Sequence, residues 1–167
     1  MLIDRNGLPA EDVWTYVAAD APNVANAAND ASAAYQVSSD TVLPLDAWLA
    51  AEAQGVAPAG IRVQGHDDPE RIAALLPKLE LVVIEFPKTR DGRGFTLAKF
   101  LRDKWQFKGA IRAAGPLLPD QLAMLWACGF DSLLSPSEVP TARWREAALA
   151  AQVRAGRPRT LLARLTA

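Results

Sequence analysis

Leu81-Val82-Val83-Ile84-Glu85-Phe86, followed after Pro87 by Lys88-Thr89-Arg90-Asp91-Gly92-Arg93-Gly94-Phe95 and then by Thr96 to Trp105, is the stretch that decides how this chain folds. The first segment is an unbroken apolar run of strand length, as expected for a strand covered on both faces. The last segment places Leu97, Phe100, Leu101 and Trp105 at helical spacing. With Thr96 as N-cap, Phe95 and Phe100 occupy the hydrophobic-staple positions. A strand therefore delivers a glycine-flanked, cation-rich loop onto the start of a helix. Free backbone N–H groups and the helix dipole make such a junction a natural place for an anion or a carboxylate.

The same alternation extends outward. Upstream, Val42 and Leu43 suggest a strand end, and Leu45, Trp48 and Leu49 a helix closing before Gly55. Ile61 to Val63 reads as the next strand, and Asp67-Asp68-Pro69-Glu70 as a helix start with acidic cap and early proline. Ile72, Leu75 and Leu76 supply its buried stripe. Downstream come a strand at Ala110–Ala114, a helix opened by Pro119-Asp120, a short strand at Phe130–Leu134 and a helix from Pro140 or Thr141 to about Ala155. The reading is an α/β fold with a mostly parallel sheet of four or five strands. An open Rossmann-like sheet and a partial TIM-type barrel both satisfy it, and in either the working edge is the carboxyl end of the strands.

The first third reads as an arm, residues 1–40. Leu2 and Ile3 form a short strand turned at Asn6-Gly7, with Val13 to Val17 returning alongside. Asp20 to Ala34, polar and alanine-rich without either period, reads as a loose loop. The expected organisation is thus one α/β domain over 1–167: the arm, a regular core at 41–155 and a tail at 156–167.

With 167 residues, half of them hydrophobic and 22% charged, the chain has globular composition. A net charge of −1 offers no general attraction to nucleic acid or to an anionic membrane. Charge is nonetheless polarised. Arg5 alone opposes the acidic residues between Met1 and Ala53, whereas Glu146 alone faces the arginines from Thr141 onward. One cysteine, Cys128, excludes an internal disulfide framework and any cysteine-based zinc site. The start of the sequence lacks a signal-peptide pattern, and no apolar run approaches the roughly 20 residues of a membrane helix. These features lead us to expect a cytoplasmic location.

Two blocks stand out together: Asp91-Gly92-Arg93-Gly94-Phe95-Thr96-Leu97-Ala98-Lys99-Phe100-Leu101-Arg102, and Asp120-Gln121-Leu122 with Cys128-Gly129-Phe130-Asp131. With Ile111-Arg112-Ala113-Ala114-Gly115 between them, they resemble the bacterial domain-of-unknown-function family 934 (DUF934) over about Thr41 to Leu134. Members are often encoded beside sulfite reductase and other sulfate-assimilation genes, and some carry an oxidoreductase label. The resemblance implies a role in sulfite reduction, with sulfite reductase as a partner, and does not imply a mechanism.

In the loop, Arg90, Arg93 and Lys88 would hold an oxyanion such as sulfite, sulfate or phosphate, or a partner's carboxylate, because the guanidinium fork binds two oxygens at once. Gly92 and Gly94 would permit close backbone approach or positive φ. A turn in which Asp91 pairs with a neighbouring arginine accounts for the same residues without a ligand. The spacing matches neither phosphate-loop nor dinucleotide fingerprints. Each of four predicted strands also carries a charge: Arg62, Glu85, Arg112 and Asp131. Pairs such as Glu85 with Arg112 would form a polar layer near the strand ends, adding Arg112 to the anion site and making Glu85 the best carboxylate for proton transfer. Alternatively, that face is open, or covered only by the arm.

His66, the only histidine, follows a strand on the working edge and is a candidate general base, although a histidine on such a Gly-His-Asp-Asp turn is more often a surface residue. No ligand spacing supports a metal. Cys128 lies at a predicted helix C-terminus, where the dipole opposes the thiolate, so redox chemistry there competes with simple packing. No flavin, nicotinamide, haem or iron–sulfur motif is visible, hence no evident cofactor. Two functions remain: an accessory or adaptor protein of sulfite reduction, or a small oxidoreductase or anion-handling enzyme using Arg90, Arg93, Arg112 and Glu85. Whether the chain is an enzyme is left open by its residues.

Overall fold

The computed structural model describes residues 1–17 and 37–155. The expected loose loop and the tail therefore lie outside the described residues. The strands are β1 (Leu2–Ile3), β2 (Pro9–Ala10), β3 (Thr15–Tyr16), β4 (Thr41–Pro44), β5 (Gly60–Gln64), β6 (Leu81–Glu85), β7 (Ala110–Ala114) and β8 (Ser132–Leu134). The helices are α1 (Leu45–Ala53), α2 (Pro69–Leu75), α3 (Arg93–Asp103), α4 (Leu122–Ala127) and α5 (Thr141–Ala155).

All eight strands join one curled sheet in the order β2-β1-β8-β7-β6-β5-β4-β3. From β3 to β8 the strands are parallel and follow chain order, while β1 runs antiparallel to both β8 and β2. That progression never reverses, so it lacks the switch point that defines a doubly wound Rossmann sheet. The sheet exceeds the expected four or five strands because the arm supplies three more. Each of these is two residues long, too short to display the alternation by which strands are recognised.

The arm also departs from the expected hairpin. Leu2–Ile3 pairs with Pro9–Ala10 and not with Val13–Val17. Asp4 decides this: its carboxylate accepts the backbone N–H groups of Asn6 (2.9 Å) and Leu8 (2.8 Å), closing the turn early. Thr15–Tyr16 instead lies against β4 at the opposite end of the strand order.

Period-2 alternation sorts the strand residues onto two unlike faces. Leu43, Ile61, Val63, Val82, Ile84, Ile111, Ala113 and Leu133 face the main core with Trp48, Ile72, Leu97, Leu101, Leu125 and Trp144 from the helices. Trp48 and Trp144 are wholly buried yet satisfied, donating to the Pro58 carbonyl and to Ser135 Oγ, both at 2.8 Å. The other face carries a smaller cluster of Val42, Leu81 and Val83, against which Trp14 and Tyr16 of the arm pack.

Two local expectations for α3 change. The helix begins four residues earlier than a Thr96 cap would set it: Gly92 is the N-cap residue, and Asp91 Oδ1 accepts the Arg93 N–H at 3.1 Å. The early start carries Phe95 onto Phe86, with ring centroids 4.9 Å apart, in place of a Phe95–Phe100 staple. Phe100 is left 45% exposed, its ring edge against Trp105.

Candidate functional site

The turn between β6 and α3 is built from its own side chains. Asp91 N–H donates to the Lys88 carbonyl at 3.0 Å, Thr89 Oγ1 donates to the Pro116 carbonyl at 3.0 Å, and Gln121 Nε2 donates to the Thr89 carbonyl at 2.7 Å. The turn is thus fastened to the segment that follows β7. Asp91 takes Arg93 in a fork, Nε to Oδ1 at 2.9 Å and Nη2 to Oδ2 at 2.6 Å. Those hydrogen bonds, side-chain first and then backbone, hold the Asp91 carboxyl down at about 2. The α3 terminus and Arg93 therefore already have an internal anion.

Lys88 and Arg90 remain exposed, and neither is paired among the described residues. The two glycines differ in kind. A Cβ on Gly94 would stand 2.7 Å from Phe86 Cζ, so α3 approaches the β6 exit only because Gly94 lacks one, whereas Gly92 faces open space at φ −79°.

Beside this turn, on the carboxyl edge of β4, β5 and β6, lies a cleft of about 360 Å³ that holds both His66 and Glu85. Parallel register sets Gln64 opposite Glu85, and Gln64 Nε2 reaches Glu85 Oε2 at 3.4 Å. The β5 exit lies hard against α3: a Cβ on Gly65 would stand 2.5 Å from the Gly94 nitrogen. The cleft also contains Arg62, one of whose Nη2 hydrogens goes to the Val17 carbonyl at 3.0 Å, and the exposed Arg71. Two of its aspartates are occupied by backbone: Asp67 accepts the Gln64 N–H at 2.6 Å, and Asp68 caps α2 through the Glu70 N–H at 3.0 Å. Among the described residues no group of three or more His, Cys, Asp or Glu is arranged to hold a metal ion.

The remaining sequence-predicted residues lie elsewhere. Arg112 does not pair with Glu85. It sits on the arm-covered face, its Nη1 donating to Asp12 at 2.8 Å and to the Tyr16 hydroxyl, its Nε to Ser132 Oγ at 3.2 Å. The physical reason is reach: Arg112 stands opposite Val83, two residues before Glu85 on the same face, and the arm brings the Asp12 carboxylate to it, whereas Glu85 meets Gln64. Burial foremost pushes the Tyr16 phenol up to about 12, against the pull of the adjacent guanidinium.

Thr96 and Cys128 line a separate, largely apolar groove of about 490 Å³ with Phe95, Lys99 and Phe100. Burial raises the Cys128 thiol, Lys99 drawing it back and Asp103 adding to the rise, so it is held as the thiol. Asp131 is engaged by Arg102 at 2.5 Å, and Arg102 also donates to the carbonyls of Gly129 (3.0 Å), Phe107 (2.6 Å) and Gly109 (2.8 Å). Sequence reading missed this clasp of α3 to the β7 and β8 entrances. A basic residue on the helix and an acidic one in a predicted strand were its only visible signals.

The chain belongs to a family of bacterial proteins of unknown function (DUF934), whose model matches residues 60–154. That span holds the turn 88–94, the Arg102 clasp and most of the cleft, and leaves out the arm. No curated protein matches the chain.

Proposed function

We propose that this DUF934 protein is an accessory protein of assimilatory sulfite reduction, docking its partner through the turn 88–94. Lys88 and Arg90 would receive a carboxylate of the partner or a small oxyanion such as sulfite, sulfate or phosphate. The carrying observation is that the turn is fastened by Thr89, Gln121 and the Asp91–Arg93 fork while its two other cations point to solvent unpaired among the described residues. A braced turn loses little conformational entropy on binding, so its charges serve recognition more than local stability. The family resemblance supplies sulfite reductase as the partner, and a cytoplasmic setting goes with it. Near-neutral net charge argues against nucleic acid. Among the described residues no helix is long and apolar enough to cross a membrane.

The test is capture of sulfite reductase from the same host by the immobilised chain. Replacing Lys88 and Arg90 together by Ala should weaken capture about tenfold or more and flatten its salt dependence, with sulfite reductase turnover unchanged. Unaltered affinity in the double variant refutes docking through this turn. A second reading is an anion-handling enzyme or small oxidoreductase working at the carboxyl edge, supported by the cleft in which His66 and Glu85 meet. It requires turnover, or a bound chromophore, in the purified chain alone.

A further inference from the structure

Glu85 ends β6 with a carboxylate that the described fold leaves almost unclaimed. Its one recorded hydrogen bond is the long 3.4 Å contact from Gln64. Asp67 and Asp68, in the same cleft, each hold a backbone N–H, and Asp67 Oδ1 also stands 3.9 Å from His66 Nε2. Across the cleft, among the described residues, Arg62 gives one Nη2 bond, to Val17, out of its five donors, and Arg71 stands at the rim with no ion pair. Alternation places Arg62 and Gln64 on one face of β5, and register places Glu85 beside Gln64. A guanidinium and a carboxylate with spare capacity therefore face one cavity of about 360 Å³, within the usual pocket range of about 300–1,000 Å³.

This pairing restricts the ligand. A bare oxyanion would find the arginines but meet Glu85 and Asp46, and a bare cation would find Glu85 but meet the arginines. A flat heterocycle would find no Phe, Tyr or Trp face in the lining, only the imidazole of His66 at the rim. We infer that the cleft binds a small zwitterion of the α-amino acid type, its ammonium on Glu85 and its carboxylate on Arg62 and Arg71. Pro44 and Leu45, at the foot of α1, form the apolar wall for its side chain. The inference rests on the second reading above only in taking the carboxyl edge as the working edge. It requires no turnover and no protein partner.

His66, the sole histidine, stands on the rim, so its Hε1 and Hδ2 give the one pair of protein imidazole C–H signals, at the site itself. The experiment is proton NMR of the full chain titrated with each of the standard L-amino acids, and with L-lactate and sulfate as probes lacking an ammonium. At least one amino acid should move the His66 signal saturably, with L-lactate and sulfate about tenfold weaker or silent. Glu85→Gln, which keeps the shape and removes the charge, should weaken that amino acid about tenfold at an unchanged unfolding midpoint. Should that variant not fold, Arg71→Gln at the exposed rim carries the same expectation. The inference is overturned if no amino acid gives a saturable shift, if L-lactate binds as well, or if a folded cleft variant binds like the parent. The Lys88→Ala/Arg90→Ala variant should retain amino-acid binding, which separates failure here from failure of the docking turn.

Discussion

Replacing Asp12 by Ala strands a guanidinium. Arg112 is the one charged residue among those buried in the described structure, its side chain 7% exposed against 21% for Asp12. Asp12 Oδ1 accepts from Arg112 at 2.8 Å and from Trp14 N–H at 3.2 Å, and Oδ2 accepts from the Tyr16 hydroxyl at 2.9 Å. Removing one partner of a buried pair typically costs ~3–5 kcal/mol, because the other charge stays desolvated. The arm sets a ceiling: it can lift and admit water to Arg112. Around Asp12 its hold rests on Trp14 and Tyr16, half-buried against Val42, Leu81 and Val83, with Val17 buried in the main core just beyond them. At ~1.5–3 kcal/mol for a fully buried large apolar side chain, two half-buried rings contribute ~2–3 kcal/mol. Asp12→Ala should therefore cost about 2–4 kcal/mol. Arg112→Met should cost less, about 1–2 kcal/mol, because the carboxylate left behind is more exposed and keeps its bonds to Tyr16 and Trp14. The combined variant should be more stable than Asp12→Ala alone. Urea unfolding followed by circular dichroism, extrapolated linearly, measures all three. Additive single-variant costs, or a loss below about 1 kcal/mol for Asp12→Ala, would refute the buried-pair account.

Three further outcomes are expected. The raised Tyr16 phenol keeps its proton in the folded state after an unfolded tyrosine, near 10, has lost it, so its contribution is intact below about pH 10 and is lost as pH rises toward about 12; a spectrophotometric phenolate titration should show late ionisation that disappears in Tyr16→Phe. Arg102→Leu removes donors from three carbonyls and from Asp131 and should destabilise by about 2–4 kcal/mol in the same urea assay, with Arg102→Lys recovering less than half because an ammonium lacks the fork. Gly94→Val sets a Cβ 2.7 Å from the buried Phe86 ring and should cost about 1–3 kcal/mol, whereas Gly92→Ala, in open space at helical φ, should be neutral or stabilising by about 0.4–1 kcal/mol; equal losses at the two positions would contradict the packing argument.

The parts of this fold legible beforehand are those where one local signal suffices. Leu81–Glu85 is an apolar run too continuous for anything but a buried element, and Asp68-Pro69 starts α2 with its own cap. The arm offers no such signal: its strands are two residues long, and what holds Thr15–Tyr16 in place is a guanidinium one hundred positions away from Asp12. Arg112 illustrates the limit. Its charge in an apolar strand was conspicuous, yet a strand charge declares a need for a partner without saying which carboxylate will arrive: Glu85 on the next strand was one candidate and cover by the arm the alternative, with nothing to single out Asp12 within it. The α3 start was lost for a related reason. Thr96 is a competent cap by residue type, yet α3 starts at Arg93 with Gly92 as its N-cap, and that start needs Gly94 to lie against Phe86, which is a fact of packing. The same pairing decision bears on the site. Because Asp12 takes Arg112, Glu85 is released from its expected partner and, among the described residues, keeps one long bond to Gln64. A buried charge satisfied by the arm on one strand thus leaves the neighbouring strand's carboxylate available to a ligand.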